Sequence, residues 1–120
     1  MSIRSKTVLN GRVGIVDVRG SLVGDEGTDD FREAIADLLE QGIKNVVVDL
    51  GKINYVNSSG IGALIASHAS CIKNGGRIKL ARLTQSVQNL FAITKLIDVF
   101  DVYENVDEAV QSFVQEITYP

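Results

Sequence analysis

A strand-forming run at positions 45–50, with the sequence NVVVDL and three consecutive β-branched valines, limits the possible fold more than any other segment. An unbroken apolar strand is typical of the centre of a parallel sheet, where both faces are covered. Apolar residues recur at helical spacing before this run, at 31–39, and after it, at 61–72. Because parallel strands are joined by crossover helices, the pattern predicts an α/β fold.

The beginning of the chain predicts an antiparallel hairpin. Residues 6–9 and 13–19 favour strands, and they flank Asn10-Gly11, a dipeptide that suits a two-residue turn. Gly20 is expected to end the second strand, and Thr28 is expected to cap the first helix.

The rest of the chain continues the alternation of strands and helices. A helix from Ser59 to Asn74, a strand at 77–81, a helix opened by Thr84 or Ser86, a strand at 99–103 and a helix at 106–117 give the order β-β-α-β-α-β-α-β-α. The sequence therefore predicts one domain over residues 1–120, with a mixed, mostly parallel sheet of about five strands, an N-terminal antiparallel hairpin and about four helices.

Composition and charge narrow the class of partner. The net charge is −3, and this balance argues against a nucleic-acid partner, which needs clustered Lys and Arg. No apolar run is long enough to insert into a membrane, and the start of the chain does not resemble a secretory signal. The single cysteine, Cys71, has no partner for an internal disulfide. We therefore expect a cytoplasmic protein.

Small polar residues and two glycines follow the central strand at 57–62, with the sequence NSSGIG. Asn57 or Ser58 can accept a hydrogen bond from the free N–H groups of a helix start, and Gly60 and Gly62 allow close approach of neighbouring chains. On spacing alone, this segment is most simply a helix N-cap.

The same segment resembles the Asp-Ser-Ser/Thr-Gly-Leu-Gly motif of the STAS family, in its anti-sigma factor antagonist type. The residues around it agree, because Asn74-Gly75-Gly76 precedes the next strand and residues 87–96, VQNLFAITKL, resemble the family's Val-x-x-Leu-Phe-x-Ile-x-x-Leu helix. The resemblance runs from the first strand to the last helix, and it implies a STAS-like fold.

The resemblance also implies a function. In the family, the serine after the Asp is phosphorylated by an anti-sigma factor that is a serine kinase, and the unphosphorylated antagonist binds that kinase so that the sigma factor is released. By position, the phosphoacceptor here is Ser58, and a serine phosphatase acting on phospho-Ser58 is a possible second partner. The partner-binding surface is then expected to include Asn57, Ser58, Ser59 and Gly60, together with Gly20, Ser21 and Asp25.

One residue departs from the family pattern, because Asn57 stands where the family usually has Asp. Asparagine caps a helix as well as aspartate does, so the fold is not affected. If the kinase or the phosphatase recognises that carboxylate, phosphorylation at Ser58 is expected to be slow, to be absent or to require a divergent kinase. Ser59 is a second hydroxyl that is available as acceptor.

Two other functions are compatible with parts of the sequence. The first is a structural adaptor of a lipid-transport ABC complex, which needs no phosphorylation and tolerates a neutral Asn57. The second is an enzyme, but no nucleophile and base pair, carboxylate dyad or metal cluster supports one. His68 has no second ligand at helical spacing, and the acidic residues at 25–30 suit the first turn of a helix. The sequence thus predicts a protein-binding module with no metal and no cofactor.

Overall fold

The computed structural model describes residues 2–23 and 26–118, which form a five-stranded sheet with helices on both faces. The strands are β1 (Ser2–Val8), β2 (Val13–Leu22), β3 (Asn45–Val56), β4 (Arg77–Ala81) and β5 (Asp101–Tyr103). The helices are α1 (Glu26–Glu40), α2 (Ser58–Lys73), α3 (Gln85–Ile93) and α4 (Val106–Thr118), with a 3₁₀ turn at Leu96–Asp98. This architecture confirms the predicted α/β fold and the predicted order of elements.

The strands lie side by side in their chain order, β1-β2-β3-β4-β5. Strand β1 pairs antiparallel with β2, and all other pairs are parallel. Because each right-handed crossover steps in the same direction, α1, α2 and α3 pack on one face of the sheet. Helix α4 packs on the opposite face, over β3, β4 and β5. The carboxyl ends of β2, β3 and β4 therefore meet at one edge, which we refer to as the upper edge.

The central strand is buried on both faces, as its β-branched sequence predicts. Val46, Val48 and Leu50 belong to the large core beneath α1 to α3. Val47 faces the smaller core beneath α4, where it meets Phe113 and Ile15. The continuous apolar run is thus explained by two cores rather than one.

The hairpin differs from the predicted two-residue turn at Asn10-Gly11. The last strand pair is Val8 with Val13, so the connection has four residues, 9–12. Leu9, Asn10 and Gly11 all have positive φ. Val8 and Val13 both pack in the core beneath α4, and this burial fixes the register in preference to the shorter turn.

Three strands are longer than the sequence indicates. Strand β1 begins at Ser2 rather than at Lys6, β2 continues through Gly20 to Leu22, and β3 continues past Leu50 to Val56. The added pairing between β2 and β3 is irregular, with register shifts on both sides of Gly20, whose φ of 103° is accessible to glycine. The extensions of β2 and β3 carry Leu22 and Val56 to the upper edge.

The helix boundaries also correct several predictions. Helix α1 begins at Glu26, so Thr28 lies inside the first turn and does not cap it. Helix α2 begins at Ser58, one residue before the predicted Ser59. Thr84 is the cap of α3, since its side chain accepts a hydrogen bond from the N–H of Val87. Strand β5 begins at Asp101, because the preceding residues form the 3₁₀ turn.

Candidate functional site

Asn57 caps helix α2 at the upper edge of the sheet. Its side-chain Oδ1 accepts a hydrogen bond from the N–H of Gly60 at 3.0 Å, and its backbone oxygen accepts one from Ile61 at 2.9 Å. The sequence predicted that either Asn57 or Ser58 caps the helix, and in the structure the cap is Asn57. The hydroxyl of Ser58 is thereby left out of the capping arrangement.

Ser58 is the first residue of α2, and its side chain is exposed. Within the described residues, its hydroxyl makes no hydrogen bond to the protein. Ser59 is also exposed, one residue further along. The first turn of α2 contains no acidic side chain, so the partial positive charge of the helix start is not neutralised locally.

Gly60 connects this turn to the end of strand β2. A Cβ at Gly60 would overlap the carbonyl oxygen of Leu22 and would lie 3.0 Å from Val56 Cγ1. The same Leu22 oxygen accepts a hydrogen bond from the N–H of Asn57 at 3.3 Å. Gly62 was predicted to allow a similar close approach, but nothing lies within 4 Å of its Cβ position. Only the first of the two glycines is therefore required by packing.

A groove of about 620 Å³ opens beside Ser58, between the start of α2 and helix α3. None of the described side chains that line it is charged. They are Asn54, Tyr55, Val56, Asn57, Ser58, Ile61, Ser86, Val87, Leu90 and Thr94. Tyr55 lies near the end of β3 and is 59% exposed, which is unusual for a large aromatic side chain in a mostly buried strand. Sequence reasoning did not find the α3 wall of the groove, because only tertiary packing brings α3 beside α2.

The other predicted partner-binding residues lie close to this turn or outside the described residues. Gly20 and Ser21 are half-buried in the last part of β2, where Ser21 pairs with Tyr55 of β3. They therefore share the upper edge with Asn57 and Ser58. Asp25 lies outside the described residues.

His68 and Cys71 lie on α2, further from the upper edge. His68 Nδ1 accepts a hydrogen bond from the N–H of Ile78 at 3.1 Å, so that nitrogen carries no proton. Burial, and secondarily the charge of Arg77, lower the pKa of His68 below 6.5, while Asp101 opposes the shift. Burial also raises the pKa of the Cys71 thiol to about 11, which removes thiolate reactivity at neutral pH.

The His68 arrangement predicts a pH-dependent stability. The folded state resists protonation of His68, whereas the unfolded state binds a proton near pH 6.5. The contribution of His68 to the free energy of unfolding should therefore be complete above that pH and should fall as the pH drops below it. It should stop falling once His68 of the folded state is also protonated. Urea midpoints measured across this range for the natural protein and for His68→Gln should show a smaller acid loss in the variant. Equal slopes for both proteins would contradict the assignment.

Across residues 2–23 and 26–118, no three His, Cys, Asp or Glu side chains are grouped as a metal site would require. No helix in that part of the chain combines the length and the apolar character needed to cross a membrane.

Comparison with known proteins identifies the family. The sequence profile of the STAS domain matches residues 5–109, which is most of the chain. The chain belongs to the STAS domain family. It is 32% identical, over 81 residues, to the anti-sigma-B factor antagonist of Bacillus subtilis, covering 68% of this chain and 73% of that protein.

Solved structures support the same fold at lower identity. An anti-sigma-factor antagonist (STAS) domain protein from Planctomyces limnophilus superposes with a TM-score of 0.77 at 15% identity, covering 93% of this chain and 97% of that one. The Bacillus cell fate determinant SpoIIAA in its phosphorylated form gives a TM-score of 0.74 at 16% identity, with coverages of 93% and 99%. At these identities the likeness concerns the fold alone.

Proposed function

We propose that this protein is a cytoplasmic anti-sigma factor antagonist that is switched by phosphorylation of Ser58. In the unmodified form it binds an anti-sigma factor serine kinase through the surface around Ser58, and this binding releases the sigma factor. The observation that carries the proposal is the free Ser58 hydroxyl at the mouth of an uncharged groove. The 32% identical relative named as an anti-sigma-B factor antagonist supports the class of function.

The geometry suits a phosphoryl acceptor. The Ser58 oxygen is free to attack the γ-phosphorus of ATP held by the kinase, forming the Ser–O–P bond as the bond to the ADP oxygen breaks and the hydroxyl proton is released. The product carries about −1.5 to −2 charges at neutral pH. Because the first turn of α2 has no acidic side chain, the helix start can hold this charge without local repulsion.

The groove explains how the modification would change binding. A groove without charged side chains is complementary to an apolar or uncharged part of a partner. A dianion at its mouth would have to be desolvated when that partner docks, and desolvation of an unpaired charge is costly. Phosphorylation would therefore block docking without unfolding the protein, and a serine phosphatase would restore it.

We predict that incubation with an anti-sigma factor serine kinase and ATP places phosphate on Ser58. Mass spectrometry of the tryptic peptide at 53–73, between Lys52 and Lys73, should locate the added group. Ser58→Ala should lose the modification and Ser59→Ala should keep it. Phosphate on Ser59 alone would move the acceptor by one residue, and phosphate on neither serine would contradict the proposal.

Binding measurements test the switch itself. Ser58→Asp should weaken the complex with the kinase on the order of thirtyfold or more, as expected for a residue at the centre of an interface. Ser59→Asp adds the same charge one residue away on the same surface, and it shows whether the effect is specific to position 58. A kinase that binds both variants as tightly as the natural protein, or co-purification with an ABC ATPase in place of a kinase, would favour the adaptor function.

A further inference from the structure

The face of the sheet that carries α4 also bears a group of cations that the proposed function does not use. Side chains alternate between the two faces of a strand, and Val8 and Val13 face α4. Arg4 and Lys6 of β1 therefore face the same side as Val8, and Arg19 faces the same side as Val13.

Two further cations join this face from β3 and from the end of β4. Lys52 is the register partner of Arg19, so it lies on the same side of the sheet. Arg82 follows β4 and has a φ of 63°, an uncommon value for a residue other than glycine. This conformation directs its side chain to Asp49, which it contacts at 3.3 Å. We refer to Arg4, Lys6, Arg19, Lys52 and Arg82 as the basic face.

The two acidic residues that β2 and β3 place on this face lie beneath the arginines. Asp17 and Asp49 are register partners on adjacent strands, and each is paired with one arginine. The side chains of Asp17 and Asp49 are 26% and 11% exposed, whereas those of Arg19 and Arg82 are 44% and 43% exposed. The surface that a partner meets is therefore formed mainly by guanidinium groups.

The ion pairs also fix the positions of the two guanidinium groups. Arg19 uses Nε and one terminal nitrogen on a single oxygen of Asp17, both at 3.2 Å. Arg82 lies over Gly51, where a Cβ would be 2.5 Å from the arginine Nε. Each guanidinium keeps other N–H groups available, and pre-positioned guanidiniums suit bidentate binding of carboxylates.

The strands β1, β2 and β3, together with Arg82, give this part of the face a charge opposite to that of the chain. Their five cations and the two acids Asp17 and Asp49 sum to +3, on a protein whose net charge is −3. Helix α4 packs over β3, β4 and β5, and its apolar contacts on β2 and β3 are with Val13, Ile15 and Val47. The later parts of β2 and β3, with Arg19 and Lys52, lie beyond those contacts.

We propose that the basic face is a second docking surface, which binds an acidic segment of a protein partner. Glutamate and aspartate side chains can pair singly with cations on neighbouring strands and avoid the intervening Asp17 and Asp49. A continuous phosphate backbone or an anionic membrane presents its charges without such gaps and cannot avoid them. This surface is independent of Ser58, which lies among the helices of the opposite face.

A labelled synthetic Glu-rich peptide is the probe for this surface, with binding measured by fluorescence anisotropy at low salt. The test variant is the triple Arg4→Gln, Lys6→Gln, Lys52→Gln, since these exposed side chains make no ion pair within the described residues. The matched control is Arg32→Gln, Lys44→Gln, Lys73→Gln, which removes the same charge from exposed positions outside the basic face.

The natural protein should bind the peptide, and added salt should weaken the complex. The test variant should bind about tenfold more weakly, as expected for the loss of three exposed charge pairs, while the control and Ser58→Asp bind normally. Thermal unfolding should show that both triple variants are folded. Absence of binding, equal losses in the two triple variants, or tighter binding of duplex DNA or of phosphatidylglycerol vesicles than of the peptide would overturn the proposal.

Discussion

Gly60→Ala is expected to destabilise the protein by about 1–3 kcal/mol, the usual cost of overpacking a site that cannot relax. The new methyl group would overlap the backbone oxygen of Leu22 and press on Val56. Neither neighbour is the free end of a flexible side chain, so the start of α2 would have to move away from β2. That movement would also break the hydrogen bond from Asn57 to Leu22.

Gly62→Ala is the matched control for this prediction. The same methyl group at Gly62 meets nothing within 4 Å. Alanine inside a helix is more stable than glycine by about 0.5–1 kcal/mol, so this variant should be slightly stabilised. Urea denaturation of both variants measures the difference directly. Equal stabilities for Gly60→Ala and Gly62→Ala would show that α2 does not contact β2 as described.

The second large effect is expected at Lys79, whose side chain is almost fully buried between β4 and α4. Its Nζ donates hydrogen bonds to Ser112 at 2.7 Å and to Glu116 at 2.9 Å, and it lies 4.3 Å from the centre of the Phe113 ring. Lys79→Ala removes the stem beyond Cβ from a packed site, at a cost of about 2–4 kcal/mol. Hydrogen exchange should accelerate along α4, because that helix loses its main polar contact with the sheet.

Lys79→Met distinguishes packing from charge at the same position. Methionine refills most of the space, and the Glu116 side chain is 51% exposed, so its carboxylate can turn to water. Replacing a buried ion pair by an apolar side chain is often neutral, so this variant should lie within about 1 kcal/mol of the natural protein. Urea denaturation measures both variants. A methionine variant as unstable as the alanine variant would show that the ion pair, rather than the stem, holds α4.

The sequence predicted the fold well because its patterns are local. The run at 45–50 predicted a central strand, and Val46 and Val47 indeed face the two cores. Boundaries were less accurate where a long-range contact decides them. Strand β2 passes Gly20 because pairing with β3 continues as far as Leu22 and Val56. No local signal in β2 indicates that its partner strand is long.

The helix faces illustrate a second limit of sequence reasoning. The apolar spacing at 61–72 suggested a buried stripe that included Ile65 and Ile72, yet these two side chains are 41% and 53% exposed. The buried positions of α2 are mainly small residues, such as Ala63 and Cys71, beside Leu64. Small residues let α2 approach the sheet closely, and hydrophobicity alone does not reveal such a close contact.

The candidate site was predictable in part. The segment at 57–60 identified the start of α2, and its resemblance to a known family drew attention to Ser58. Phosphorylation of Ser58 and the partner contacts of Asn57, Ser59, Gly60, Gly20 and Ser21 remain predictions. The groove and the basic face could not be predicted, because Leu90 and Arg82 reach them only through the packing of separate elements.

The strands lie side by side in chain order, so the connections fall into two groups. Those that lead from a strand into α2 or α3 lie at the upper edge, and those that lead from a helix into β3 or β4 lie at the opposite edge. The turns at 41–44 and 74–76 lie at the edge opposite Ser58, where the parallel strands β3 and β4 begin. Exposed Asn74 is therefore a suitable position for a fluorescent label or an inserted tag that follows partner docking without obstructing it.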